Sequence, residues 1–331
     1  MKKIIALVLV CMMALSTVAF AAEFKDMPND WSTSALEAAV KNGLLTGSGG
    51  YIKASDNMTR AEMATIMVRA CGATKEVDIS GFSDVKAEDW FYTSMARAVA
   101  MGAFTGSDNK LNPNSPITRQ EAFVVLSRVF GLDVSDVSEL AALNDFKDAD
   151  KIADWAKSGV AAIVNNGYVA GNEGYINPLN NISRAEFAVV MDRLIKYYID
   201  DASASFPTDG NVMVRAKDYP LNSLDTQYMV VAGDAIGDAE YTVVDGKIGD
   251  RLVIRGGLTV KVGGEYNKVV IAAPGITANI NPDGIKHIHV CKDSFVKLDS
   301  FIAGGQETET ETETKVEPEA EEATETEENA E

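Results

Sequence analysis

One spacing pattern occurs three times in the first two thirds of this 331-residue chain, and it restricts the fold more than any other feature. Each copy carries Phe-x-Asp, a Trp, two Gly, an aromatic residue or Leu, and a hydroxyl-Arg-x-Glu motif, in that order. In the first copy these are Phe24, Asp26, Trp31, Gly43, Gly47, Tyr51 and Thr59-Arg60-Ala61-Glu62. The second has Phe82, Asp84, Trp90, Gly102, Gly106, Leu111 and Thr118-Arg119-Gln120-Glu121, and the third Phe146, Asp148, Trp155, Gly167, Gly171, Tyr175 and Ser183-Arg184-Ala185-Glu186. Trp to Gly is twelve residues and Gly to Gly four in every copy. Chance does not hold two intervals three times, and a fixed internal period marks a repeat architecture.

Each interval has a physical reading. An Ala-, Val- and Met-rich helix is expected from about the Trp to the residue before the first Gly. Gly43, Gly102 and Gly167 then end it, because a residue without Cβ enters the left-handed conformation without steric penalty. A tight loop follows, stiffened by Pro113 and Pro178 in the second and third copies. Thr59, Thr118 and Ser183 with Glu62, Glu121 and Glu186 three residues on have the spacing of a capping box, so a second helix starts there. Met63, Ile66, Met67 and Ala70, and likewise Phe187, Val190, Met191 and Leu194, recur at helical spacing and form a core face.

The residue after each cap, Arg60, Arg119 or Arg184, is not explained by the helix, since a cation in the first turn opposes the macrodipole. One reading pairs it with a neighbouring acid such as the Asp of Phe-x-Asp. The other makes it an anion site, with guanidinium and helix N-terminus directed at one carboxylate or phosphate.

At these residues the pattern resembles the S-layer homology (SLH) domain, a module that tethers exported proteins to the wall of bacteria of Gram-positive envelope type. The resemblance covers about Glu23 to Ile199 in three copies, with Thr-Arg-Ala-Glu kept in full at residues 59–62 and mild departures at Gln120 and Ser183. It implies an all-α pseudo-trimer of helix-loop-helix repeats with ligand grooves between adjacent copies. The implied ligand is an anionic, often pyruvylated secondary cell-wall polysaccharide or a peptidoglycan-linked glycan. The resemblance assigns its carboxylate to Arg60, Arg119 and Arg184, and places Asp26, Asp84 and Asp148 with Trp31, Trp90 and Trp155 near the groove. An aromatic at the start of an Ala-rich helix also reads as a packing wedge.

Outside the repeats, Lys2, Lys3, the apolar run Ile4 to Leu15 and Ala19-Phe20-Ala21 read as an export signal over 1–21, with an uncut anchor as the competing reading. The repeats are expected at 22–78, 79–141 and 142–200, a linker at 201–226, a β-rich segment at 227–303 and a disordered acidic tail at 304–331. The β segment is expected to be a short solenoid or stacked sheet, because Leu252-Val253-Ile254, Val269-Val270-Ile271 and His287-Ile288-His289 recur at 17 to 18 residues. A small sandwich is the alternative.

The formal charge is −19, from 30 Lys and Arg against 49 Asp and Glu, and twelve of those Glu lie from Glu307 onward. Such a field repels nucleic acid and anionic lipid. No membrane span is expected once a signal is removed. With two His and three Cys there is little material for His-based catalysis or a disulfide scaffold, so Cys71 and Cys291 read as separate thiols. His287, His289 and Cys291 alternate on one strand and are weak candidates for a metal; otherwise no metal and no cofactor is expected. Fewer than 100 residues remain for catalysis, without a recognisable triad or carboxylate pair, so the expected role is non-enzymatic wall anchoring. A wall-tethered enzyme, or a module that docks other surface proteins through the β segment, is the alternative.

Overall fold

A computed structural model describes residues 24–132, 137–291 and 294–298. The expected export signal and acidic tail lie outside the described residues.

Among the described residues six α-helices alternate as the repeat spacing predicts: α1 (Thr33–Lys41), α2 (Arg60–Cys71), α3 (Tyr92–Ala100), α4 (Arg119–Val129), α5 (Lys157–Asn165) and α6 (Arg184–Leu194). The first helix of each copy begins two residues after its Trp. The second opens with a complete capping box in all three copies, where the Thr59, Thr118 and Ser183 amides donate to Glu62, Glu121 and Glu186 at 2.9, 2.8 and 2.8 Å. The second Gly of each copy is required twice over. Gly47, Gly106 and Gly171 have φ of +62, +73 and +70°, and a Cβ there would come within 2.2, 2.6 and 2.6 Å of the rings of Phe24, Phe82 and Phe146.

The packing units straddle the sequence repeats. α2 packs on α3, α4 on α5, and α6 returns to α1, so the second helix of each copy pairs with the first helix of the next and the ring closes. At its centre Met58 donates to the Ile182 carbonyl at 2.9 Å, Ile182 to Ile117 at 3.1 Å and Ile117 to Met58 at 2.9 Å. This triangle of backbone hydrogen bonds is the pseudo-threefold axis expected of a three-copy ring.

The chain then winds into a parallel β-solenoid of β1 (Tyr197–Ile199), β2 (Val212–Val214), β3 (Asp225–Thr226), β4 (Val230–Ala232), β5 (Glu240–Ile254), β6 (Thr259–Ile271), β7 (Thr277–Ile280), β8 (Ile285–Val290) and β9 (Phe295–Leu298). Among the described residues every strand pair is parallel, and β5 lies on β6 in register through three stretches separated by two irregularities. A sandwich of antiparallel sheets is therefore excluded for this segment, and the solenoid expectation holds. The expected linker at 201–226 needs correcting: β2 and β3 lie within it, and β1 lies within the span assigned to the third repeat. These strands are two or three residues long, too short to show a period by themselves.

Two cores result. Val214, Ala232, Ile254 and Ile271 fill the solenoid interior. Their opposite-facing neighbours Met213, Val231, Val253 and Val270 belong to the core of the helical ring. The sheet shared by β2, β4, β5 and β6 is buried on both faces, which explains its unbroken apolar runs.

Candidate ligand-binding seams between the repeats

The three motif arginines occupy equivalent places, one at each seam between copies. Arg60 donates through Nε to the Leu111 carbonyl at 2.9 Å and through Nη1 to Glu121 at 3.1 Å. Arg119 does the same to Ile176 at 2.9 Å and Glu186 at 2.9 Å, and Arg184 to Ile52 at 3.0 Å and Glu62 at 3.1 Å. Each acceptor belongs to another copy, so the ion pairs run 60 to 121, 119 to 186 and 184 to 62 around the ring. The Arg partner is thus the capping-box Glu of the next copy, not the Asp of Phe-x-Asp.

That Asp has a different task. Asp26 accepts the Ile52 and Lys53 amides at 2.7 and 2.8 Å, Asp84 those of Leu111 and Asn112 at 3.0 and 2.7 Å, and Asp148 those of Ile176 and Asn177, both at 2.9 Å. Lys53, Asn112 and Asn177 have φ of 55, 51 and 53°, a left-handed turn that the carboxylate fastens. The carbonyl just before that turn is the one that receives Arg Nε. Each Asp is therefore a positioning residue, setting the loop that holds the guanidinium of the preceding copy.

The helix N-termini are closed to an added anion. The Arg60 and Ala61 amides donate to the Ser115 and Pro113 carbonyls at 3.0 and 2.9 Å, the Arg119 and Gln120 amides to Asn180 and Pro178, and the Arg184 and Ala185 amides to Asp56 and Ala54. The third amide is taken by the cap hydroxyl. The expectation that helix amides and guanidinium converge on one anion is corrected accordingly: the orphan donors of each helix serve the next copy's loop.

The guanidinium itself is not exhausted. The arginine side chains are 17, 11 and 11% exposed, and Nη2 makes no hydrogen bond among the described residues. Burial lowers the Arg60 and Arg119 pKa from the ordinary arginine value, and the charges of Glu121 and Glu186 oppose that shift. Each seam therefore presents a fixed, planar cation with one end open.

Trp31, Trp90 and Trp155 are 64, 66 and 53% exposed, so the packing-wedge reading does not hold. Trp90 rests edge-on against Phe91 with 5.5 Å between ring centroids. The loops also differ among copies, and one counterpart expected from the spacing shifts by a residue. The paired bridges Ser48 to Tyr51, Ser107 to Lys110 and Asn172 to Tyr175 make Lys110, not Leu111, the counterpart of the two tyrosines. Lys25 lies over Tyr51 at 5.2 Å and Lys147 over Tyr175 at 4.9 Å, whereas the second copy has Ser83 and Lys110 there.

On the solenoid, His287 and His289 extend the columns of Lys268 and Val270. Among the described residues no group of three His, Cys, Asp or Glu side chains is placed to hold a metal ion, so the structure does not assemble His287, His289 and Cys291 into a site. Cys71 and Cys291 form no disulfide with each other. A shallow hollow of about 460 Å³ lies between Ser223, Asp245, Lys247 and Glu265, far in sequence from the seams, and its lysine is already paired with Glu265 at 3.1 Å.

The S-layer homology domain family model matches residues 23–64, 81–123 and 145–188, in register with the three copies. The chain carries three tandem S-layer homology domains. It is 32% identical over 246 residues to the Surface-layer 125 kDa protein of Lysinibacillus sphaericus, covering 72% of this chain and 20% of that protein. That match is too long to fit within residues 1–188, so it runs on into the strand region. The chain is 33% identical over 137 residues to S-layer protein EA1 of Bacillus anthracis, covering 40% of this chain and 14% of that protein. To Exoglucanase XynX of Acetivibrio thermocellus it is 27% identical over 175 residues, covering 52% and 16%. The chain spans a fifth or less of the length of these relatives. Its domains and S-layer relatives mark it as a secreted protein of the cell wall or cell surface. No described helix is long and apolar enough to cross a membrane.

Proposed function

We propose that the protein is a non-enzymatic anchor whose three seams bind an anionic polysaccharide of the cell wall. The observation that carries this reading is the recurrence, at all three seams, of an arginine locked by two bonds and open at Nη2. A locked guanidinium loses little entropy when a carboxylate arrives, and its planar fork suits a carboxylate better than an ammonium would. The adjoining glutamate neutralises part of the cation, so each seam attracts an acid weakly at long range and relies on the short hydrogen bond. Such a bond contributes about 1.5 to 3 kcal/mol. Two or three seams on one polymer raise the effective concentration and turn modest sites into firm retention. The exposed Trp31, Trp90 and Trp155, at equivalent positions, supply apolar faces for sugar rings. Asp26, Asp84 and Asp148 act through the loops.

The test is sedimentation of the full chain with isolated walls, before and after the acidic polysaccharide is stripped from them. Binding to native walls and its loss on stripped walls is the expected result. Equal retention on both would assign the anchor to another wall component.

A further inference from the structure

All six helices of the ring point their C-terminal ends at the solenoid, and four side chains from 211–255 receive those ends. Arg215 donates through Nη1 to the Asn42 and Arg69 carbonyls at 3.2 and 3.0 Å, at the ends of α1 and α2. Arg255 reaches Met101 at 2.8 Å and Val129 at 2.8 Å, at the ends of α3 and α4. Arg251 bonds Gly131 at 2.9 Å, just past α4, and the Asn166 side chain at 3.0 Å, the C-cap of α5. Asn211 donates to the Leu194 carbonyl of α6 at 2.9 Å. The last carbonyls of a helix lack intrahelical donors and lie at the negative pole of its dipole, so a buried guanidinium is the matching partner. Each arginine is also held from the solenoid side: Arg215 by Asp200 at 2.6 Å, Arg251 by Asp250 at 3.1 Å and Arg255 by Asp234 at 2.7 Å. Apolar contact completes the joint, for a Cβ on Gly131 would fall 2.6 Å from Val270 and one on Gly72 2.6 Å from Ala235.

We infer that the solenoid is an obligatory end cap of the helical ring, recognised by Arg215, Arg251 and Arg255, so that repeats and solenoid fold and bear load as one body. The arginine–glutamate seams sit at the N-termini of α2, α4 and α6 and the cap at their C-termini. The molecule therefore has two opposed ends, and the strand region is no loosely tethered cargo. This holds whatever ligand the seams take.

Cys71 reports on the joint. It is fully buried at the end of α2, and that burial pushes its thiol up to about 12. The full chain with Cys11→Ser and Cys291→Ser leaves Cys71 as its one thiol. Alkylation is followed across a denaturant series beside the far-ultraviolet helix signal. One body requires labelling to begin only where helix is lost, and Arg215→Ala with Arg251→Ala to speed native-condition labelling at least tenfold. If that pair unfolds the helices, Arg215→Ala alone supplies the same reading. Labelling of the parent chain while its helix signal is intact, or variants that label no faster than the parent, would overturn the end cap.

Discussion

A single carboxylate in each copy shows how far one residue's effect reaches. Asp84 ties two amides of its own loop, and the carbonyl before that turn holds Arg60 of the copy before. Asp84→Ala should destabilise the protein by about 1 to 3 kcal/mol, read from denaturant melts, because two amides lose their acceptor. Thr118→Ala removes only the cap and should lower stability by about 1 kcal/mol. The same clasp sets an acid limit. Desolvation opposes ionisation of Asp26, but the Ile52 and Lys53 amides win and hold its pKa below the usual carboxylate value. A group whose folded pKa lies below its unfolded one contributes stability above the unfolded value, and that contribution disappears as pH falls through the folded value. Amide exchange at Ile52 and Lys53 should therefore be protected above about pH 4 and lose that protection progressively below it. Unchanged protection at the acid end would mean that the carboxylate is not what fastens the loop.

At the scale of elements, the packed pair is the second helix of one copy with the first helix of the next. α4 and α5 come so close that a Cβ on Gly159 would lie 2.8 Å from Val124, so Gly159→Ala should destabilise by about 1 to 3 kcal/mol in the same melts. A double-mutant cycle on Arg119 and Glu186 should return a coupling of about 1 kcal/mol, since the pair is half-buried and shared with a cap. The helices, their capping boxes and their stop glycines were legible in the sequence because each depends on residues within a few positions of one another. The arginine's partner was not, since Glu121 is 61 residues from Arg60 and only the closed ring brings them together. The wedge reading of the tryptophans fails for a related reason: apolar character marks what can be buried, and three-dimensional packing decides what is. The first solenoid strands were lost in a polar stretch, where Val212–Val214 is the longest apolar cue before Val230.

Across the whole molecule, the three copies place three equivalent cations at three seams and leave Nη2 of each without a hydrogen bond among the described residues, while the opposite helix ends are closed by the solenoid. Replacing Arg60, Arg119 and Arg184 by Ala would strip the capping glutamates of their partners and confuse loss of fold with loss of ligand. Lysine keeps the charge beside Glu62, Glu121 and Glu186 but cannot bond a carbonyl, a glutamate and a ligand in one plane. The decisive measurement is therefore wall co-sedimentation of the full chain carrying Arg60→Lys, Arg119→Lys and Arg184→Lys, with its helix signal checked against the parent. The account predicts a native helix signal and retention weakened by at least roughly tenfold, the loss of one charge-assisted bond or more; a folded triple variant held by the walls as firmly as the parent would contradict it.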